Sequence, residues 1–183
     1  HCCHLRCYLV YLQVASNVLS KNSNDEIMKT GANLSECRRY RFSLWRIWDE
    51  ALPYALFMGL NPSTADETAN DPTITRCINF AKDWGYGGIY MANLFAYRAT
   101  DPSEIYATED PIGVANDDWL KKLSNEAGIT IAAWGNHGSF MERSKIASTL
   151  IKNLYALKIN KSGEPAHPLY LPATSKLIPF SSV

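Results

Sequence analysis

One repeated unit constrains this chain more than any other feature. A short apolar run ends in a polar motif, and a segment with helical spacing follows. The run at residues 54–60 leads into Asn61-Pro62-Ser63, the run at 88–93 ends in Asn93, and the run at 129–133 leads into Trp134-Gly135-Asn136-His137. Each run is too short for a core helix and is bounded by Gly, Pro or Asn, so each reads as a buried strand. Between the first two, Ile74, Cys77, Ile78 and Ala81 share one helical face. Asp71 stands where a helix cap belongs, and Pro72 fits the first helical position because its missing N–H has no partner to lose there. Gly85 ends that helix. Asp101-Pro102-Ser103-Glu104 has the form of a second capped start with a reciprocal Glu. Residues 114–127 and 140–154 read as helices, the latter with Arg143, Lys145 and Lys152 on its wet side. Residues 155–159 read as a fourth strand, before a turn at Lys161-Ser162-Gly163-Glu164-Pro165.

Strands alternating with helices imply a parallel sheet with right-handed crossovers. The expected fold is α/β, a three-layer α/β/α arrangement with a short, mainly parallel four-stranded sheet. Within residues 38–48, Tyr40, Phe42 and Leu44 alternate with Arg39, Arg41 and Ser43 and suggest a further strand, with Trp45 and Trp48 starting a helical or irregular segment. The arginines there, Arg38, Arg39, Arg41 and Arg46, read either as a solvated basic face or as a phosphate-binding patch.

The 183 residues suit one domain. Residues 1–27 combine Cys2, Cys3, Cys7, a short apolar stretch and a polar run. Met28 is read as the natural start, residues 28–183 as a single α/β domain, and residues 1–27 as a non-native or disordered extension. The cysteine spacing does not close a zinc site, so neither metal nor cofactor is expected. Nor is there a disulfide framework, which points to a reducing, cytoplasmic compartment. No apolar run is long enough to span a bilayer. The formal net charge is zero, so any nucleic-acid contact must come from a local patch.

In parallel α/β sheets, ligands bind beyond the carboxyl ends of the strands. That rim collects Asn61, Pro62 and Ser63 after the first strand, Asn93 after the second, Trp134 and Gly135 after the third, and His167 after the fourth. Plainer readings exist for each. Asn61-Pro62 suits a turn, Asp71 a helix cap, Trp134 packing that shapes a pocket, and His137 an exposed turn. His167 suits a surface histidine, and Cys77 a core residue.

Several motifs together carry a resemblance. Gly59-Leu60-Asn61-Pro62-Ser63, Asn70-Asp71-Pro72-Thr73, the run from Asn93 to Pro102, Ala133-Trp134-Gly135 and His167-Pro168-Leu169-Tyr170-Leu171 occur in that order. Over about residues 37–171 the chain resembles a bacterial and phage family catalogued as domain of unknown function 1643. More distantly, the motif order is similar to the uracil-DNA glycosylase superfamily. That likeness implies a glycosylase-like fold and an N-glycosidic hydrolase acting on a nucleobase, nucleotide or nucleic acid. It assigns water positioning to Asn61, base recognition to Asn93, and leaving-base stabilisation to His167; an amide cannot deprotonate water, so Asp66 or Asp71 would have to assist. Phe95 or Tyr97 would stack on the ring. The alternatives are a non-catalytic nucleotide or modified-base binding module, and an interaction protein presenting Trp45, Trp48 and Tyr97 as an exposed patch.

Overall fold

A computed structural model describes residues 11–21, 27–63 and 68–182, with side chains described from Met28 onward. Asp66 and the cluster Cys2, Cys3 and Cys7 lie outside the described residues. Of the extension expected over residues 1–27, only residues 11–21 and 27 are described. The first of these spans forms β1 (Tyr11–Lys21), antiparallel to β2 (Ile27–Ser35).

The sheet is wider than expected. Its eight strands run in the order β1-β2-β3-β5-β4-β6-β7-β8. Here β3 is Arg41–Ile47, β4 is Tyr54–Gly59, β5 is Gly88–Asn93, β6 is Ile129–Ala132, β7 is Leu154–Ala156 and β8 is Ile178–Pro179. Parallel pairing joins β5 to β4, β4 to β6 and β6 to β7; the other pairings are antiparallel. The expectation of a four-stranded, mainly parallel sheet is therefore corrected to an eight-stranded mixed sheet. Two of the added strands hide in the sequence for physical reasons. β2 interleaves Lys29, Gly31 and Asn33 with its apolar residues. Gly31 lies opposite Trp45, and a Cβ there would come within 2.1 Å of the indole. β8 is two residues ending in a proline, which a sheet tolerates at an edge.

Helix α1 (Pro72–Asp83) covers one face of the sheet, and α3 (Asn116–Glu126) with α4 (Arg143–Leu150) covers the other; α2 (Glu104–Ala107) is a single turn. Side chains of β4 divide between the two faces. Ala55 and Phe57 pack with Ile74, Cys77, Ile78 and Ala81 of α1. Leu56 and Met58 pack with Leu120, Leu123 and Ala147 of α3 and α4. Burial on both faces explains why β4 reads as an unbroken apolar run.

Two further expectations change. In place of the helix expected over 140–154 stand a 3-10 turn, Asn136–Glu142, whose last two residues, Met141 and Glu142, are at positive φ, and then α4. Arg143 is not on a wet face: it is 1% exposed, donates from Nε to the Leu94 carbonyl and pairs with Asp117. Likewise Arg41 and Arg46 are buried, not a solvated face; Arg46 donates to Asn70 Oδ1 and the Ala69 carbonyl.

Cys77 is fully buried on α1, and desolvation pushes its thiol far above the ordinary range. Replacing it with serine buries a hydroxyl in an apolar contact set. Cys77→Ser is expected to lower stability by about 1–3 kcal/mol in denaturant unfolding. An unchanged midpoint with altered ligand response would instead make Cys77 part of the site.

Candidate functional site

The parallel strands run β5-β4-β6-β7, so the crossover from β4 to β5 goes one way and the crossover from β5 to β6 returns past β4 to its other side. This reversal is a topological switch point, where a crevice opens beyond the carboxyl ends. A cavity of about 370 Å³ lies there, lined among others by Gly59, Leu60, Asn61, Ser63, Asp71, Asn93, Trp134, Gly135, His137 and His167. Its volume falls in the range of small-molecule sites.

The segments leaving β4 and β5 stay paired beyond the sheet. Leu94 N donates to the Gly59 carbonyl, Phe95 N to the Leu60 carbonyl, and Ala99 N to the Pro62 carbonyl. Asn61 Nδ2 donates to the Pro62 and Ala99 carbonyls at 3.3 Å each, which leaves its Oδ1 as the acceptor end. Asn93 is 6% exposed, lines the cavity, and its side-chain amide has no hydrogen-bond partner among the described residues. Gly59 makes room for it: a Cβ there would stand 2.8 Å from Asn93 Oδ1. On the other side of the strand end, Asn116 Nδ2 holds the Asn93 and Leu94 carbonyls.

Trp134 is 2% exposed, and its Nε1 donates to the buried Glu164 Oε2 at 2.8 Å. Gly135 N donates to the Pro165 carbonyl, and Asn136 Oδ1 accepts from Asn160 and Ser162. The turn at 160–165 thereby fastens the end of β6. Gly138 packs so closely on the Trp134 indole that a Cβ would approach within 2.1 Å.

Asp71 caps α1, with Oδ1 accepting from Ile74 N at 2.7 Å, while Oδ2 receives a long contact from Ser63 Oγ at 3.5 Å. His167 opens the 3-10 turn Pro168–Tyr170, and its Nδ1 accepts from Leu169 N. In the neutral ring that hydrogen bond leaves the proton on Nε2. The surrounding protein lowers the His167 pKa by desolvation, although solvent still reaches the ring; the charge of Asp71 acts in the opposite direction. Arg76 of α1 donates to the Leu171 carbonyl, which ties this loop to the helix.

The cavity brings together Asn61, Ser63, Asp71, Asn93, Trp134, Gly135 and His167. Pro62 is buried behind it. Phe95 is not available to stack on a ligand: it is fully buried and packs on Phe140. Tyr97 faces Tyr40 and lies under Arg39 instead of lining the cavity. Trp45, Trp48 and Tyr97 do not form the exposed patch that would favour an interaction protein: Trp45 is buried against Tyr90, and Trp48 donates to the Tyr86 carbonyl. Reading the sequence leaves Arg41 open between a solvated face and a phosphate-binding patch, and does not select Gly59 or His137 as site residues. His137 is exposed in a turn, as expected, yet it lines the cavity, with its Nδ1 2.8 Å from the Tyr106 hydroxyl. Among the described residues no cluster of His, Cys, Asp and Glu is arranged to hold a metal, and no helix is long and apolar enough to cross a membrane.

Residues 41–169 match the family described as protein of unknown function (DUF1643). The chain belongs to that family. No curated protein and no solved structure matches it. The DUF1643 match begins at the first residue of β3 and ends within the His167 loop, so it spans every wall of the cavity.

The His167 environment makes a titration prediction. Its pKa in the folded protein lies below the 6.5 of an unperturbed ring. Folding therefore favours the neutral form. The contribution to stability is intact above about pH 6.5 and declines as pH falls toward the folded-state value. NMR titration is expected to give a midpoint below 6.5, and Asp71→Asn, which keeps a capping side chain, is expected to lower it further. A rise on that substitution would contradict the assigned coupling.

Proposed function

We propose that the cavity reads the edge of a nucleobase and that its wall supports hydrolysis of the N-glycosidic bond. The observation that carries this reading is Asn93. Asn93 lines the cavity with an amide that makes no hydrogen bond within the described residues, so its donor and its acceptor are both open to a ligand. One amide offers the paired donor and acceptor that a heterocyclic base edge presents.

The remaining groups suit bond cleavage. Water attacks the anomeric carbon, and the C–N bond breaks with its electron pair passing to the base. Asn61 Oδ1 orients the water but cannot deprotonate it, because an amide is not a base. Asp71 is the carboxylate on the cavity wall among the described residues, and it takes the proton through Oδ2. His167, neutral with Nε2–H free to donate, meets the negative charge that develops on the leaving base. Such a donor helps the transition state more than the ground state.

A second reading is favoured by one contact. Asp71 Oδ1 is committed to capping α1 at 2.7 Å, which weakens it as a general base. On that reading the protein binds a nucleotide or modified base without cleaving it.

The two readings separate in single-turnover assays on uracil-, hypoxanthine- and modified-base substrates, run beside direct binding. For an enzyme, Asn61→Ala and His167→Ala are expected to lower the rate by roughly ten- to a thousand-fold with little change in binding. Asn93→Ala is expected to blur base choice. A binding module would show no turnover in the parent and weaker affinity in all three variants. Turnover indifferent to both Asn61 and His167 would remove their assigned roles.

A further inference from the structure

Resting on the nucleobase reading, we infer that the ligand is phosphorylated and that Arg41 seats its phosphate: the site takes a nucleotide, free or within a strand, in preference to a free base or nucleoside.

The first support is topological. β3 runs antiparallel to β5, so its first residue reaches the rim where the parallel strands end. Along that rim, in sheet order, stand Arg41 from β3, Asn93 from β5, Gly59 from β4 and Trp134 after β6, and all four line the cavity. Arg41 N donates to the Ala96 carbonyl, which holds the strand start against the segment that follows Asn93.

The second support is local. Strict alternation would place Leu44 and Phe42 on one face and Arg41 on the other. The register skips a residue: Ser43 pairs with Asn33 and Arg41 with Leu34, so Phe42 is passed over. This irregularity sends Phe42 to the α3 face, where it stacks on Trp119 with ring centroids 6.2 Å apart. Leu44 stays on the α1 face with Ile74 and Met91. Arg41 is thereby turned onto the cavity wall beside Met91 and Asn93. A bulge that re-aims one side chain is a recurrent device beside binding sites.

The third support is chemical. Arg41 is 6% exposed and lines the cavity, so its charge stands in a largely desolvated wall. Its planar fork of five donors matches phosphate oxygens, and charge-assisted bonds strengthen away from water. Hydroxyls of Ser63, Thr73 and Thr100 line the same cavity and can complete the oxygen contacts. Asp71 lines the same cavity, with its Oδ1 accepting from Ile74 N.

The test compares calorimetric binding of nucleosides, nucleoside monophosphates, short oligonucleotides and inorganic phosphate by the parent protein, Arg41→Gln and Arg41→Lys. The parent is expected to prefer monophosphate over nucleoside by about tenfold or more, and inorganic phosphate to compete with it. Arg41→Gln should abolish that preference, and Arg41→Lys should retain part of it. Tighter binding of oligonucleotide than of monophosphate assigns the phosphate to a strand; the reverse assigns it to a free nucleotide. Equal affinity of the parent for nucleoside and monophosphate, or no binding of either, overturns the proposal. That comparison needs no variant and stands even if Arg41→Gln fails to fold. Arg41-dependent phosphate binding with no response to base identity or to Asn93→Ala would keep the phosphate seat and discard the nucleobase reading.

Discussion

The segment from Leu94 to Ala99 leaves the sheet with Leu94, Phe95, Ala96 and Ala99 still buried, and the peptide groups of those residues need partners that water cannot supply. The partners come from three directions. Carbonyls of Gly59, Leu60 and Pro62 receive its amides from the β4 side, and the Ile112 carbonyl receives the Ala96 amide. Asn116 Nδ2 and Arg143 Nε converge on the Leu94 carbonyl from α3 and the start of α4. Arg41 N takes the Ala96 carbonyl from β3. Satisfying one short run of backbone therefore locks two strand ends, two helices and an antiparallel edge into a single arrangement. The Asn93 amide and the Asn61 acceptor acquire their positions as a consequence.

This arrangement also explains why the polar groups sit where they do. The chain has no formal net charge, yet the cavity concentrates Arg41, Asp71, two imidazoles and two amides. In a partly desolvated space these groups interact with a ligand more strongly than they would in water. Several are oriented by contacts directed away from the cavity. Nδ1 of His167 is held by Leu169 N, Nδ1 of His137 lies against the Tyr106 hydroxyl, and Oδ1 of Asp71 is held by Ile74 N. Each leaves one polar atom for the open space, which is how a preorganised site is built. The same economy makes Asp71 ambiguous, since the atom that stabilises α1 belongs to the group asked to act as a base.

Mixed sheets of this kind host many functions, so the fold carries little weight in the functional argument. The weight rests on individual side chains: a buried amide open to the cavity, a neutral histidine with its donor free, and an arginine turned inward by a register skip. The run Leu94-Phe95-Ala96 after Asn93 contributes differently from its appearance in the sequence. Leu94, Phe95 and Ala96 are fully buried. They act as scaffolding for the strand end and offer no stacking surface to a ligand.

Much of the centre was legible from residues alone, because its signals are local. Asp71-Pro72 marks a helix start by cap and φ preference, and Asn93 ends a strand whose length is set by flanking glycine and turn chemistry. The alternation of apolar runs and helical faces implies crossovers whose strand ends meet on one rim, which is why Asn61, Asn93, Trp134 and His167 could be grouped in advance. The edges were not legible. β2 and β8 have no clear pattern of their own and are strands only because β3 and β7 offer them hydrogen-bond partners. Arg143 reads as a wet helical residue until Asp117 and the Leu94 carbonyl, distant in sequence, make its burial favourable. Arg41 reads as one arginine in a basic alternation, and only pairing with Leu34 across β2 decides which face it takes. Local backbone preference is written in neighbouring residues, whereas burial, register and facing depend on which distant segments arrive beside them.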